Sequence, residues 1–311
     1  MDTKGCYWRY ENLGAAIYWS NDQTNIKSDV KFESVNHYNE HRKEKGYPQN
    51  WTLIRTINID EPLEILKDYN ANSSKDYRYK NLWLKGASLF IPQMNKLLEM
   101  VNYEMKEYDI SEFNNEYMEE LSEIFKKNKS DKSNSGFYPL YSYILKTLGR
   151  EKNLNICEIG LGTNNQNIVS YMTLHFKPGG SLYSFRDFLP NSQIYGADID
   201  KSILFSTENI KTCYVDQLEM ESFENLKKEF KNVKYDLFID DGLHSIGANF
   251  NTLLFALENI KENGWIVIED IHIKENWYGI DNILKNNGYE TYLVKATKNY
   301  LYCLHKKLVE S

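Results

Sequence analysis

Two short stretches gather the side chains on which chemistry could rest. "YDLFIDDGLHS", Tyr235 to Ser245, runs an apolar segment into Asp240, Asp241 and then His244. "IVIEDIH" ends a second apolar segment in Glu269, Asp270 and His272. Buried strands rarely end in adjacent like charges without a cation opposite, because carboxylates packed together repel one another and raise their own pKa values. If the two segments are neighbouring parallel strands, about 4.8 Å apart, they bring up to four carboxylates into one small volume. An all-oxygen ligand set suits a hard divalent cation, magnesium or calcium, whose open positions could hold substrate hydroxyls. The plainer alternative is that Asp241 and Glu269 cap the helices that follow, with Asp240 touching a cofactor. His244 is a candidate general base, although a lone histidine near a helix start is often structural. His272 and Trp277, just past the second segment, could line an acceptor pocket, where core packing is the competing use of the tryptophan.

A second set of residues suits a nucleoside. "EIGLGTNN" places Glu158, Gly160 and Gly162 directly after an apolar run, where glycines allow a sharp turn and close approach of a ligand. The third glycine of a dinucleotide fingerprint is absent, since Asn165 holds its place. An acid before the first glycine would repel a pyrophosphate and suits a cationic amino-acid group. "GADID" ends in acids of which Asp198 could accept from both hydroxyls of a ribose, and "VDQ" offers Asp216 to an exocyclic adenine amine. Each acid alone could equally be a helix cap; three at successive strand ends favour a ligand.

The elements that must position these residues follow from the rhythm of the second half. From about Gly136 the runs "LNICEIG", "SQIYGADID", "IKTCYVD", "YDLFIDD" and "GWIVIED" read as strands, separated by helical segments such as "SFENLKKEF" and "NFNTLLFALENIKENG". The pattern predicts an α/β, doubly wound, Rossmann-like sheet, mostly parallel and closed by an antiparallel hairpin in "YETYLVKATKNYLYCLHKK". Ligands of such sheets bind beyond the carboxyl ends of the strands, where the acids fall. Residues 1–135 differ in texture and predict a mainly helical auxiliary region, with residues 136–311 the catalytic domain. Met94, Leu97, Leu98, Val101 and Met105 form one helical stripe; Phe113, Tyr117, Leu121, Ile124 and Phe125 form another, with Ser111 as its expected N-cap. "KKNKSDKSNSG", Lys126 to Gly136, reads as a linker or mobile loop. Trp8, Trp19, Trp51 and Trp83 could serve sugar binding or ordinary packing.

Composition narrows the class. The 311 residues are 41% hydrophobic with a net charge of −7, enough for a sizeable core and against nucleic acid as the main partner. No apolar run reaches the roughly 18 residues of a membrane helix, and no signal-peptide pattern opens the chain, so a cytoplasmic location is expected. The cysteines Cys6, Cys157, Cys213 and Cys303 lack metal or redox spacing and read mostly as buried apolar residues.

Taken together, "EIGLGTNN", "GADID" and "VDQ" resemble a class I S-adenosylmethionine (SAM)-dependent methyltransferase over roughly Phe137 to Lys307. The resemblance implies SAM as cofactor, with Glu158, Gly160 and Gly162 around its methionine part, Asp198 on the ribose, and Asp216 and Gln217 near the adenine. "GGSLYSFRDFLPNSQIYGADID", "FIDDGLH" and "IVIEDIH" are closest to the macrocin and mycinamicin type of sugar O-methyltransferase. That likeness implies a magnesium ion on Asp241, Glu269 and Asp270, His244 as base, a sugar-type acceptor and a homo-oligomer. Leu243 stands where many members carry a small residue. The rival readings are metal-dependent methylation of a non-sugar hydroxyl such as a catechol, a nicotinamide oxidoreductase on a similar sheet, and a non-catalytic SAM-binding subunit.

Overall fold

A computed structural model describes the backbone of residues 4–11, 14–19 and 52–58, and residues 93–307 apart from 95, 101, 167, 169, 170, 173 and 298. The chain divides into two units: Met1–Phe90 with Asn165–Tyr171, and Ile91–Asn164 with Met172–Ser311. In the first unit, β1 (Lys4–Glu11), β2 (Gly14–Trp19) and β3 (Thr52–Asn58) form an antiparallel sheet in the order β2-β1-β3. Their tyrosine, tryptophan, isoleucine and threonine content favours a pleated surface. A strand pattern therefore stands where helices were expected; the rest of that region, and the side chains of Trp8, Trp19, Trp51 and Trp83, lie outside the described residues.

The second unit begins earlier than residue 136. Its helices are α1 (Met118–Lys127), α2 (Lys132–Ser135), α3 (Tyr138–Leu148), α4 (Gly180–Phe188), α5 (Met220–Glu229), α6 (Ile246–Asn259) and α7 (Tyr278–Asn286). Its strands are β4 (Glu107–Asp109), β5 (Asn155–Ile159), β6 (Gln193–Asp198), β7 (Ile210–Tyr214), β8 (Tyr235–Asp240), β9 (Ile260–Ile271), β10 (Tyr289–Lys295) and β11 (Tyr300–Lys306). They form one sheet in the order β4-β10-β11-β9-β8-β5-β6-β7. Strands β5 to β9 run parallel, and β11 is antiparallel to both its neighbours. Helix α1 packs into this unit because Leu121 and Phe125 bury fully against the same apolar cluster as α3. Burying each such side chain contributes about 1.5–3 kcal/mol.

Several local expectations shift. Asp109, not Ser111, supplies the cap, and it caps a short 3-10 turn over Ile110–Phe113; α1 starts only at Met118. The Met94 stripe is helical through residue 100 among the described residues, and Met105 lies beyond it. Helix α6 stops at Asn259, so Ile260 already belongs to β9.

The sheet has two buried faces, and side-chain alternation assigns each strand residue to one. Ile156, Leu237, Ile239, Trp265 and Val267 share a cluster with α3 and α4, whereas Cys157, Ile159, Phe238, Ile266 and Ile268 share one with α5 and α6. Glu158 pairs with Ile239, and Ile239 with Val267, so Glu158, Asp241 and Glu269 continue the first set. Asp240 continues the second. Two adjacent aspartates thus leave the same strand toward opposite sides.

Candidate active site and its cation cluster

The first face carries a buried ion cluster. Lys132 Nζ lies 2.7 Å from Asp241 Oδ2, 2.8 Å from Glu269 Oε1 and 2.9 Å from Glu158 Oε1. Its side chain is 1% exposed. Tyr141, also buried, donates its hydroxyl to Glu269, and Ser181 donates to Glu158. The segment expected to be a linker therefore contributes the central cation: α2 turns Lys132 inward, and Gly136 ends it in the left-handed conformation. Burial works against the ammonium, but the charges of Asp241, Glu158 and Glu269 outweigh it and hold Lys132 well above its usual pKa. Burial, with mutual repulsion, pushes Asp241 well above the carboxylate range and Glu269 to about 8. The raised values are the consequence of gathering three carboxyl groups, out of water, around one ammonium.

Asp241 also faces the other way. His244 Nε2 lies 3.9 Å from Asp241 Oδ1 and 3.6 Å from Asp270 Oδ2. Both His244 (φ 54) and Asp270 (φ 52) adopt left-handed backbone, which turns their side chains out of the regular strand-end directions. Asn299, in the β10–β11 turn, donates to Asp270 Oδ1 at 2.7 Å. Burial lowers the His244 pKa, and its Nδ1 is buried without a hydrogen-bond partner.

Among the described residues the expected trio Asp241, Glu269 and Asp270 does not form one ligand group; its members divide between two. Asp241, His244 and Asp270 each bring one ligand atom, all within 4.8 Å of one another, and so do Glu158, Asp241 and Glu269. An octahedral magnesium ion with bonds of about 2.1 Å spaces its ligands by roughly 3–4 Å, which both groups can meet. Asp241 belongs to both groups. Helix capping does not account for the acids: Ser245 caps α6 through Ala248 N, and the 3-10 turn after β9 has no side-chain cap.

Asp240 and Gln217 form a separate buried network. Gln217 Nε2 donates to Asp240 Oδ1 and to Thr252 Oγ1, both at 2.8 Å, and its Oε1 accepts from Leu243 N at 2.7 Å. Asn249 Nδ2 donates to Asp240 Oδ2 at 3.1 Å. These bonds hold the β8–α6 loop on which Asp241 and His244 sit.

At the nucleoside edge, Asp198 accepts from Leu161 N at 2.7 Å and Asp200 N at 2.8 Å, with Ile199 N also bonded to it. Its carboxylate retains a lone pair for a hydroxyl. Burial raises the Asp198 pKa. Asp216 accepts from Leu218 N at 2.9 Å. Gly160 (φ +91) and Gly162 (φ +73) are left-handed, as a tight turn after β5 requires. A Cβ on Gly160 would lie 2.0 Å from the Asp241 carbonyl oxygen, so this glycine lets the β5 and β8 loops touch. Asp241 N donates to Ile159 O across the same contact at 2.8 Å. The residues fit SAM in kind: acids at two strand ends beside a glycine turn.

His272 is exposed, while Trp277 is 2% exposed and packs on Tyr302 in the core. Trp277 therefore presents no face to an acceptor. Lys132, Tyr141 and Ser181 were not singled out from sequence. The alternation of β5, β8 and β9 could have placed Glu158, Asp241 and Glu269 on one face; nothing in "SDKSNSG" marks its lysine.

The sheet order β4-β10-β11-β9-β8-β5-β6-β7, with only β11 reversed, is the α/β, doubly wound, Rossmann-like sheet with a C-terminal antiparallel hairpin expected from the sequence. No protein-family model matches the chain. Mycinamicin VI 2''-O-methyltransferase of Micromonospora griseorubida is 35% identical over 94 residues, 30% of this chain and 23% of that protein. A second relative is 8-demethyl-8-(2-methoxy-alpha-L-rhamnosyl)-tetracenomycin-C 3'-O-methyltransferase of Streptomyces olivaceus. It is 29% identical over 138 residues, 43% of this chain and 32% of that protein. The chain thus spans a quarter to a third of the length of these curated relatives. Among solved structures, MycE methyltransferase from the mycinamycin biosynthetic pathway, in complex with Mg, SAH and mycinamycin VI, aligns with a TM-score of 0.49. The identity is 22%, covering 60% of this chain and 53% of that one.

Proposed function

We propose that this chain is a SAM-dependent, divalent-metal-assisted O-methyltransferase acting on a sugar hydroxyl. The observation that carries the proposal is the convergence of Asp241, Asp270 and His244, whose ligand atoms lie within 4.8 Å of one another at the strand-end edge, beside the acids that follow β6 and β7. An alcohol is a poor nucleophile at neutral pH, so its proton must be removed or its oxygen acidified. His244 suits the first task. Burial keeps it neutral, and Nε2 faces the space between Asp241 and Asp270. A hydroxyl held in that space would give its proton to Nε2, with Nδ1 carrying the ring proton. Asp241, with Asp270 on one side or Glu269 on the other, would hold the metal, which supplies Lewis acidity that lowers the hydroxyl pKa. Glu158, Gly160, Gly162, Asp198 and Asp216 would hold SAM, and the β8–α6 loop braced by Gln217 and Asp240 keeps His244 aligned with it. The sugar acceptor is supported by the two curated relatives, both named for methylation of a sugar position. A cytoplasmic homo-oligomer belongs to the same proposal; among the described residues no helix is long and apolar enough to cross a membrane.

The test is calorimetric binding of SAM and S-adenosylhomocysteine with EDTA or excess magnesium, then methyl transfer to nucleotide sugars, glycosides and catechols. Cofactor binding with metal-dependent transfer to a sugar is expected. Transfer to catechols alone refutes the sugar assignment, transfer indifferent to EDTA refutes the metal, and absence of SAM binding refutes the activity.

A further inference from the structure

The ammonium of Lys132 stands where two other cations were expected: against Glu158, assigned to the amino group of SAM, and between Asp241 and Glu269, assigned to the metal. We infer that Lys132 is the resident cation of this cluster and that a divalent metal competes with it for Asp241 and Glu269, so that metal binding releases residues 131–136. The inference rests on the metal assignment proposed above.

Three observations support it. A magnesium ion needs carboxylate oxygens at about 2.1 Å in a fixed octahedral arrangement. The ammonium lies between the nearest oxygens of Asp241 and Glu269 at 2.7 and 2.8 Å, so a metal taking that same pair of oxygens would sit where Nζ now stands, and two cations at such a separation repel. Next, charge favours exchange. Glu158, Asp241 and Glu269 converge on one ammonium, which compensates a single charge, where a divalent ion compensates two and would displace the protons that Asp241 and Glu269 hold. Last, Asn128 and Lys129 are tied down by Asp187 and Lys177, but residues 131–136 have little else to hold them: of these only Lys132 is buried. Helix α2 is four residues long, too short to persist without its anchor.

Competition is read directly in the full chain, without turnover. Amine acylation, quantified by mass spectrometry at Lys132 and at exposed Lys126, is followed with and without magnesium while calorimetry reports metal binding. Lys132 should be almost unreactive in EDTA, and saturating magnesium should accelerate its acylation by about tenfold or more, with Lys126 unchanged, as expected when a buried side chain opens to solvent. Lys132→Met should bind magnesium, and manganese measured by electron paramagnetic resonance, about tenfold or more tightly, because the like charge is gone. If Lys132 stays protected while magnesium is bound, or if Lys132→Met binds metal more weakly, the lysine orients the carboxylates and the competition is refuted. Binding by Lys132→Met alone would keep the lysine as occupant but overturn the metal requirement. No binding by either protein removes the metal assignment, and the competition with it.

Discussion

Gly160→Ala tests how tightly the two halves of the site are built against each other. At φ +91 any L-residue is strained, at a cost of about 1–2 kcal/mol. The new methyl would sit 2.0 Å from the Asp241 carbonyl oxygen and 2.6 Å from Gly242 Cα, both backbone atoms that no rotamer change can move. Relieving such overpacking costs about 1–3 kcal/mol more. The movement would also stretch the Asp241 N to Ile159 O bond, worth about 1 kcal/mol. A loss of about 3–6 kcal/mol follows, against about 5–15 kcal/mol for a typical domain. Gly162→Ala is the control. Its φ of +73 carries a similar strain, but the methyl meets the Met172 sulfur at 2.6 Å, a flexible side chain that can swing away. Urea unfolding should therefore place Gly160→Ala about 2 kcal/mol below Gly162→Ala, beyond the common backbone strain of the two. Calorimetry should find magnesium affinity weakened only in Gly160→Ala, because the β8 loop it presses on carries Asp241. Equal stabilities, or unaltered magnesium binding by Gly160→Ala, would refute the idea that β5–β8 contact positions the metal ligand.

His244→Ala should lower turnover by about 10²–10⁴-fold with SAM affinity near wild type, as expected of a general base outside the cofactor pocket; a comparable fall in SAM binding would remove that role. Asp241→Asn should abolish the magnesium response, since Asp241 is the carboxylate shared by both candidate ligand groups. Retained magnesium dependence in that variant, measured by activity against free metal, would shift the assignment to Glu269 and Asp270. Trp277→Ala should cost about 3–5 kcal/mol in urea unfolding, since a large buried ring is lost from the core; near-native stability with impaired acceptor binding would instead place it at the acceptor. Cys157, Cys213 and Cys303 are buried, and burial raises each thiol pKa. In a Cys6→Ser background the folded protein should release no chromophore with a thiol-reactive disulfide until denaturant is added, and rapid reaction in buffer would contradict their burial.

Much of the sheet was legible because its signals are local. Short apolar runs bounded by turns marked β5 to β11, and each strand-end acid could be read within its own run. The short turn joining β10 and β11 likewise announced the hairpin. Capping was less legible: Asp109 and Ser111 are both plausible caps, and only the backbone at Asp109 (φ −82, ψ 142) selects between them. Trp277 shows the limit for aromatics, because the same side chain can serve a core or a pocket until its neighbours are known.

By itself the sequence determined that acids would stand at the carboxyl ends of a parallel sheet, since strand period and residue type are properties of contiguous segments. Which acids face one another was decided by tertiary structure, through the register that pairs Glu158 with Ile239 and Ile239 with Val267. Tertiary structure alone also placed Lys132. A lysine in a polar loop has no intrinsic reason to be buried, and its burial is stabilised only when Glu158, Asp241 and Glu269, from three different strand ends, close around one ammonium.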